Sequence, residues 1–284
     1  MSLPNYPIVN AGLKYCNGLN ISYAGAKLVD LAAGACRDSL NINDIILDAD
    51  AQINGAIVGP NGCDQAALVA SKFYAVYVIA SSSSVDTSNS ALGAGYDSAF
   101  QPVNVAPAPA NPFPACGLLS LASNAAPYLP EGYDMYRRVG WVKTDGSANI
   151  LKFYQYGTGE TRSIWYDEPY QIGNFVAGSP VAYAPVNLSP AIPLSASEAK
   201  INVLYTCSNA AQFLQFIPGS SSNTANNQII FGCGSAAAQY DTLEVAANLY
   251  PATLPTLPYV AVQVKVAAGD NVSIWVVSYE DYLD

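Results

Sequence analysis

Asp44, Asp48 and Asp50 place three carboxylates within seven residues, a density at which a loop can ligate calcium. An EF-hand read from Asp48 needs Gly at its sixth place and Glu at its twelfth. The chain has Ile53 and Gly59 there, so these aspartates read as turn formers. Ser197-Glu198-Ala199-Lys200 has the S-x-x-K spacing of serine acyl-enzymes, but the partner motifs S-D-N and K-T-G are missing. Gly157-Thr158-Gly159-Glu160 lacks the Gly-Lys-Ser/Thr continuation of a phosphate loop and reads as a turn. Asp167-Glu168 and Glu280-Asp281 are adjacent carboxylates, the residue type a glycosidase uses in pairs. Neighbours on a strand point to opposite faces, so neither pair makes a dyad by itself. Not one of the 284 residues is histidine, which removes the side chain best suited to proton transfer at neutral pH and to metal ligation. The expectation is a chain with no catalytic residue, cofactor or metal.

The six cysteines, at 16, 36, 63, 116, 207 and 233, form no CxxC unit, and without His a zinc site is a poor reading. They read as free thiols buried as small hydrophobes, in keeping with synthesis in a reducing cytoplasm. The N-terminal Met1–Asn5 has neither the charged nor the apolar region of a secretory signal, so the sequons at Asn20, Asn187 and Asn271 carry no weight. Tyrosine is the strongest remaining signal. Tyr154, Tyr156, Tyr166 and Tyr170 lie close to Trp165, and two readings compete: sheet packing or subunit contact, and a platform for sugar rings made by Tyr154, Tyr156, Trp165 and Tyr166.

The elements that must position these residues are strands. Period-two alternation recurs and helical periodicity is nearly absent. Val260, Val262, Val264 and Val266 alternate with Ala261, Gln263 and Lys265. After Gly269-Asp270-Asn271, Val272, Ile274 and Val276 alternate with Ser273, Trp275 and Val277, so a C-terminal hairpin is expected. A second hairpin is expected to join Arg138–Lys143 to Asn149–Tyr156 across Asp145-Gly146. Further strands are expected at Asp44–Leu47, Phe73–Ile79, Ile201–Thr206, Gln212–Ile217 and Gln228–Phe231. Phe73–Ile79 is apolar on both faces, so it should be central and covered by a second sheet or a neighbouring subunit.

Composition bounds the partners. A net charge of −10 argues against nucleic acid, and Arg137-Arg138 is an isolated basic pair. The longest apolar run, Phe73–Ala80, is far short of a bilayer span, so no membrane insertion is expected. Two Pro-rich stretches stand out. Residues 102–114 read as an extended surface loop, and residues 178–193 as a linker between an N-terminal β-rich domain, 1–177, and a C-terminal β-sandwich, 194–284. No fixed-period repeat is present.

Several segments, in order, resemble a module of tailed-bacteriophage virion proteins, described as head decoration, head-fibre or tail-fibre components. They are Ala32–Ser39 with Asn43-Asp44, Asn61-Gly62-Cys63-Asp64, Phe73–Ile79, Leu129–Asp134 and Arg137–Val142, so the resemblance spans residues 10 to 156. It implies a non-enzymatic structural protein, all-β with two jelly-roll-like sandwich domains, assembled as a homotrimer and bound to the major capsid protein or another virion protein. The insert at 102–114 departs from the pattern. Lack of a repetitive shaft favours the capsid exterior over a tail-fibre or tail-tip adhesin that binds host surface glycans. The expected subunit contact, about a three-fold axis, takes in Trp275, Val277 and Ala261 of the C-terminal hairpin, together with Tyr77.

Overall fold

The computed structural model describes residues 15–82, 113–122, 126–157, 159–176, 184–193, 195–206, 213–218, 229–232, 238–246, 260–265 and 270–283. Every named element among them is a β-strand. No helix among the described residues is long and apolar enough to cross a membrane. The expected extended loop at 102–114 lies almost wholly outside the described residues.

The chain divides into two compact units, the first built mainly from residues up to Ile150 and the second from Leu151–Gly157 and Thr161–Tyr282. In the first unit, β1 (Cys16–Gly18), β4 (Gly34–Arg37) and β5 (Asp44–Leu47) form one small antiparallel sheet. A second contains β2 (Ile21–Gly25), β3 (Leu28–Leu31) and β6 (Ala51–Asn54). The largest sheet runs β10 (Met135–Lys143), β8 (Phe73–Ala80), β9 (Cys116–Leu121), β7 (Gly62–Cys63), with β7 and β9 parallel.

Strand β8 is aromatic and β-branched, and all eight of its residues are buried. Phe73, Ala75, Tyr77 and Ile79 pack with Cys116, Leu118 and Trp141 on one face. The opposite face carries Val76 and Val78, whose register partners are Gly140 and Gly117. A Cβ on Gly140 would come 2.7 Å from Ile21 Cδ1, and one on Gly117 would come 2.4 Å from Ile53 Cδ1. The β2–β3–β6 sheet therefore lies directly on this face, and glycine is what lets it approach. The expected central strand is present and is covered by its own chain.

The second hairpin is corrected. Asp145 does make a turn: its Oδ1 accepts from Ser147 N–H at 2.7 Å and Asn149 N–H at 2.8 Å. The left-handed residue is Ala148, φ 61°, rather than Gly146. Only Thr144 and Ile150 then pair across it. Beyond that bridge β10 pairs with β8, while β11 (Phe153–Tyr156) pairs with β12 (Thr161–Val176) in the second unit.

That unit holds a five-stranded sheet, β11-β12-β19-β14-β17, and a four-stranded sheet, β13-β18-β15-β16. The remaining ranges are β13 Ala184–Asn187, β14 Ala196–Thr206, β15 Phe213–Pro218, β16 Ile229–Gly232, β17 Ala238–Ala246, β18 Val260–Lys265 and β19 Asn271–Tyr282. The C-terminal hairpin is a second correction, because β18 and β19 belong to different sheets. Asp270 is no exposed turn residue: it is fully buried and accepts the hydroxyl of Tyr205. β19 instead runs between β12 and β14 as the central strand, with Val272, Ile274 and Val276 buried.

The division between units also falls earlier than the Pro-rich segment. β11 and β12 are tied to β19, which places them with the C-terminal strands. The described part of the supposed linker is packed into the second unit. Leu188, Ala191 and Ile192 are buried, and the Tyr166 hydroxyl donates to the Ala191 carbonyl at 2.6 Å.

Candidate functional site

The five-stranded sheet turns one face inward, with Ile164, Tyr166, Ala199, Ile201, Val203 and Tyr279 buried. Side chains alternate along a strand, so the register defines what the other face shows. Tyr154 stands opposite Trp165, Trp165 opposite Ser278, and Ser278 opposite Lys200. The next rung carries Tyr156, Ser163, Glu280 and Glu198, and Trp275 stands opposite Asn202 further along β14. Outward-facing Tyr154, Tyr156, Trp165 and Trp275 thus share one face with the two carboxylates Glu198 and Glu280.

The aromatics are already engaged with their neighbours. The Tyr156 and Trp165 rings meet edge-on at 6.5 Å, and the Lys200 ammonium lies 5.4 Å from the Trp165 ring centroid. The Tyr154 hydroxyl donates to Asp167 at 2.8 Å, and Lys152 pairs with Asp167 at 3.2 Å while lying 5.6 Å from the Tyr154 ring centroid. Hydrogen bonding with Tyr154, and then with Lys152, holds the Asp167 carboxyl below its ordinary range. Hydrogen bonding with Tyr154, and then with Asp167, raises Lys152. Tyr156 is 58% exposed and offers the most open ring.

Of the expected sugar platform, the structure brings together Tyr154, Tyr156 and Trp165. It removes Tyr166, which alternation turns inward and which is 6% exposed. Of the expected interface residues, Trp275 and Val277 are half-buried on β19 and Ala261 lies on β18 in the other sheet. Tyr77 is buried in the first unit's core, its ring edge-on to Tyr136 at 5.7 Å, and is covered without a second subunit.

The carboxylate pair is what sequence reasoning missed. Glu198 belongs to the S-x-x-K tetrad and Glu280 to an adjacent acidic pair, and they become direct cross-strand partners only through the β14–β19 register. Neither residue lies within the strands expected at Ile201–Thr206 and Val272–Val277; β14 and β19 extend beyond those bounds to include them. Ser163 donates to Glu280 Oε1 at 3.2 Å. Asp281 faces inward, is buried and accepts from the Ser195 hydroxyl. The strand register shifts between Ala196 and Glu198. The Ser197 hydroxyl donates to the Glu280 carbonyl at 3.4 Å while the Lys200 ammonium lies over the Trp165 ring, so neither is directed at the other as an acyl-enzyme nucleophile and base would be. A dip of about 30 Å³ lies between Ser163, Trp165, Glu198, Lys200, Ser278 and Glu280. That is about one water's share of liquid volume, so this face can offer surface contacts but encloses no sugar ring.

A wider groove of about 370 Å³ lies on the first unit, along the outer face of the β2–β3–β6 sheet. Its carboxylates are already engaged: Asp30 accepts from Gln52 Nε2 and Asp50 from Ala33 N–H, each at 2.8 Å. Among the described residues no group of three His, Cys, Asp or Glu is placed to hold a metal ion.

No family model matches this chain. No curated protein matches it either. Among solved structures, the PRD1 vertex protein P5 matches with 11% identity over 44% of this chain and 97% of that one, at a TM-score of 0.22. A Bacillus thuringiensis Cry1Da tryptic core variant matches with 9% identity over 95% of this chain and 50% of that one, at a TM-score of 0.14. The infectious bursal disease virus Gx strain structure matches with 15% identity over 95% of this chain and 80% of that one, at a TM-score of 0.10. TM-scores this low identify no common fold.

Proposed function

We propose that this chain is a non-enzymatic structural protein of a phage virion, carried on the capsid exterior as a decoration or head-fibre protein. The observation that carries the reading is a coincidence of boundaries. The segments that resemble a tailed-phage virion module span residues 10 to 156, and the first compact unit ends at Ile150. Those segments include β4 and β7 and most of β8 and β10, four of the strands that build this unit. A module transferred between virion proteins has to fold as one body, and all four of these strands fall within that unit. Acidic net charge suits a surface kept away from packaged DNA. In this reading the two units are sandwich-like, the chain assembles as a homotrimer, and its docking partner is the major capsid protein. The test is addition of purified protein to expanded capsids that lack it, with antibody labelling of intact virions by electron microscopy. Binding to capsids and label on the head support the proposal, whereas label confined to the tail overturns it.

The exposed Tyr154–Tyr156–Trp165 face, with acceptors at Glu198 and Glu280 beside it, favours a second reading: a tail-fibre or tail-tip adhesin for neutral host glycans. Aromatic faces stack on sugar C–H groups, and carboxylates accept from sugar hydroxyls. Glycan-array binding by the wild-type chain that falls at least tenfold in Tyr156→Ala and Glu280→Gln would support it. Equal signals for wild type and variants would overturn it.

A further inference from the structure

Cys16 and Cys36 lie 20 residues apart in sequence and are direct register partners on the antiparallel strands β1 and β4. The hydrogen-bond pattern identifies the kind of site they occupy. Arg37 N–H donates to the Tyr15 carbonyl at 3.1 Å, and Leu19 N–H donates to the Ala33 carbonyl at 3.3 Å. Tyr15/Arg37 and Leu19/Ala33 are therefore hydrogen-bonded rungs. Alternation makes Cys16/Cys36 a non-hydrogen-bonded rung, where Cα atoms approach to about 4.5 Å and side chains come closest. That separation lies inside the range of about 4.4–6.8 Å that disulfides span.

Both side chains point to one face, both are buried, and neither is in a disulfide. They are near enough for Cys16 to act on the ionisation of Cys36. Cys63 and Cys116 are buried free thiols as well, but their strands β7 and β9 run parallel, with Cys63 opposite Leu119 rather than Cys116.

We propose that Cys16–Cys36 is an oxidative modification site: a latent cross-strand disulfide, closed by a small disulfide oxidant of the oxidised-glutathione class. The thiolate of one cysteine attacks a sulfur of the oxidant and expels one small thiolate. The second cysteine then attacks the mixed disulfide and expels the other. The protein loses two thiol protons and two electrons, the S–S bond forms between Cys16 and Cys36, and the oxidant leaves as two thiols. Access is through β1, a three-residue strand at the edge of its sheet and the kind of element that opens locally. Burial pushes the Cys36 thiol up, more than the nearby Arg137 guanidinium draws it down, so closure is slow at neutral pH and faster in alkali. The bond would link the β1 edge covalently to the strand beside it, and the proposal stands whether or not the virion reading does.

The experiment treats the full-length native protein with oxidised glutathione at pH 8.5, alkylates it in denaturant, and maps peptides without reduction. The expected product is a Cys16 peptide linked to the Cys36 peptide, lighter by two hydrogen atoms and cleaved by a dithiol, while Cys63 and Cys116 are recovered alkylated. The oxidised chain should melt about 5–10 °C higher than the reduced one, a shift absent from Cys16→Ser and Cys36→Ser. Should the native chain resist, sub-denaturing urea is added to open the edge strand. Recovery of alkylated Cys16 and Cys36 even then overturns the proposal, as does a linkage of either to any other cysteine. Because the peptide map is read on the wild-type chain, the proposal stays testable even where a serine variant fails to fold.

Discussion

Lys143 shows at the scale of one residue how burial becomes measurable. Its ammonium donates to the Ser71 carbonyl at 3.0 Å and lies 4.7 Å from the Phe73 ring centroid. Burial, and then the charge of Lys72, lower its pKa to about 8. Below pH 8 it is protonated in both states and the folded chain carries the whole cost. Between pH 8 and 10.5 the folded chain releases the proton first, the unfolded chain holds more protons, and stability rises with pH. The buried tyrosines and thiols act with the opposite sign. Tyr15, Tyr133, Tyr166 and Tyr205 are all raised above 10.0, by burial first, so the unfolded chain loses tyrosine protons before the folded one. The thiols of Cys36, Cys63 and Cys116 are likewise raised above 9.0 by burial and oppose the rise from about pH 8.5. The melting temperature should therefore climb from pH 7 to a maximum between pH 8 and 9 and then fall. Lys143→Met, scanned by calorimetry, should melt higher at pH 7 and lose the rise; a rise that persists in this variant contradicts the assignment.

Strand pairing is where sequence detail becomes packing energy. Gly18 and Gly34 are register partners, and a Cβ on Gly34 would sit 2.3 Å from the Asn17 carbonyl oxygen and 2.6 Å from Leu19 N. Both contacts are to backbone, which cannot rotate away as a side chain can. Gly34→Ala should cost about 1–3 kcal/mol in urea unfolding, with secondary structure retained by circular dichroism. Position on a strand sets an equal contrast. Ile79, fully buried on β8, should cost about 2–5 kcal/mol when changed to Ala. Ile46, 56% exposed on β5, should stay within about 0.5 kcal/mol for the same substitution. Equal losses at the two positions would contradict the burial pattern.

For the whole molecule, the open question is assembly. The apolar surface of β8 is buried within one chain, which takes away one of the two reasons for expecting a subunit contact. What remains is the outer face of the five-stranded sheet, where half-buried Trp275 shares a surface with Trp165 and exposed Tyr154 and Tyr156. Large aromatics gathered on one sheet face are the composition of an interface. Light scattering at micromolar concentration should give three times the 29.8 kDa chain mass, and Trp275→Ser should lower it without loss of strand content. A wild-type mass of one chain would contradict the trimer.

Alternation and residue type determine what is local. β5 occupies Asp44–Leu47 as expected, β8 extends the expected Phe73–Ile79 by one residue, and the strands expected near 201, 213 and 229 are present. The class of fold was legible because a period of two is a property of each segment by itself. Which strand pairs with which is not local, since it depends on faces buried by distant parts of the chain. For that reason β18 and β19 were legible as strands but not as members of different sheets, and Asp145-Gly146 was legible as a turn but not as the end of a unit. The same limit hid the Glu198–Glu280 pair and the Cys16–Cys36 rung. A register shift of one residue turns a side chain to the other face, and only the tertiary structure sets that register.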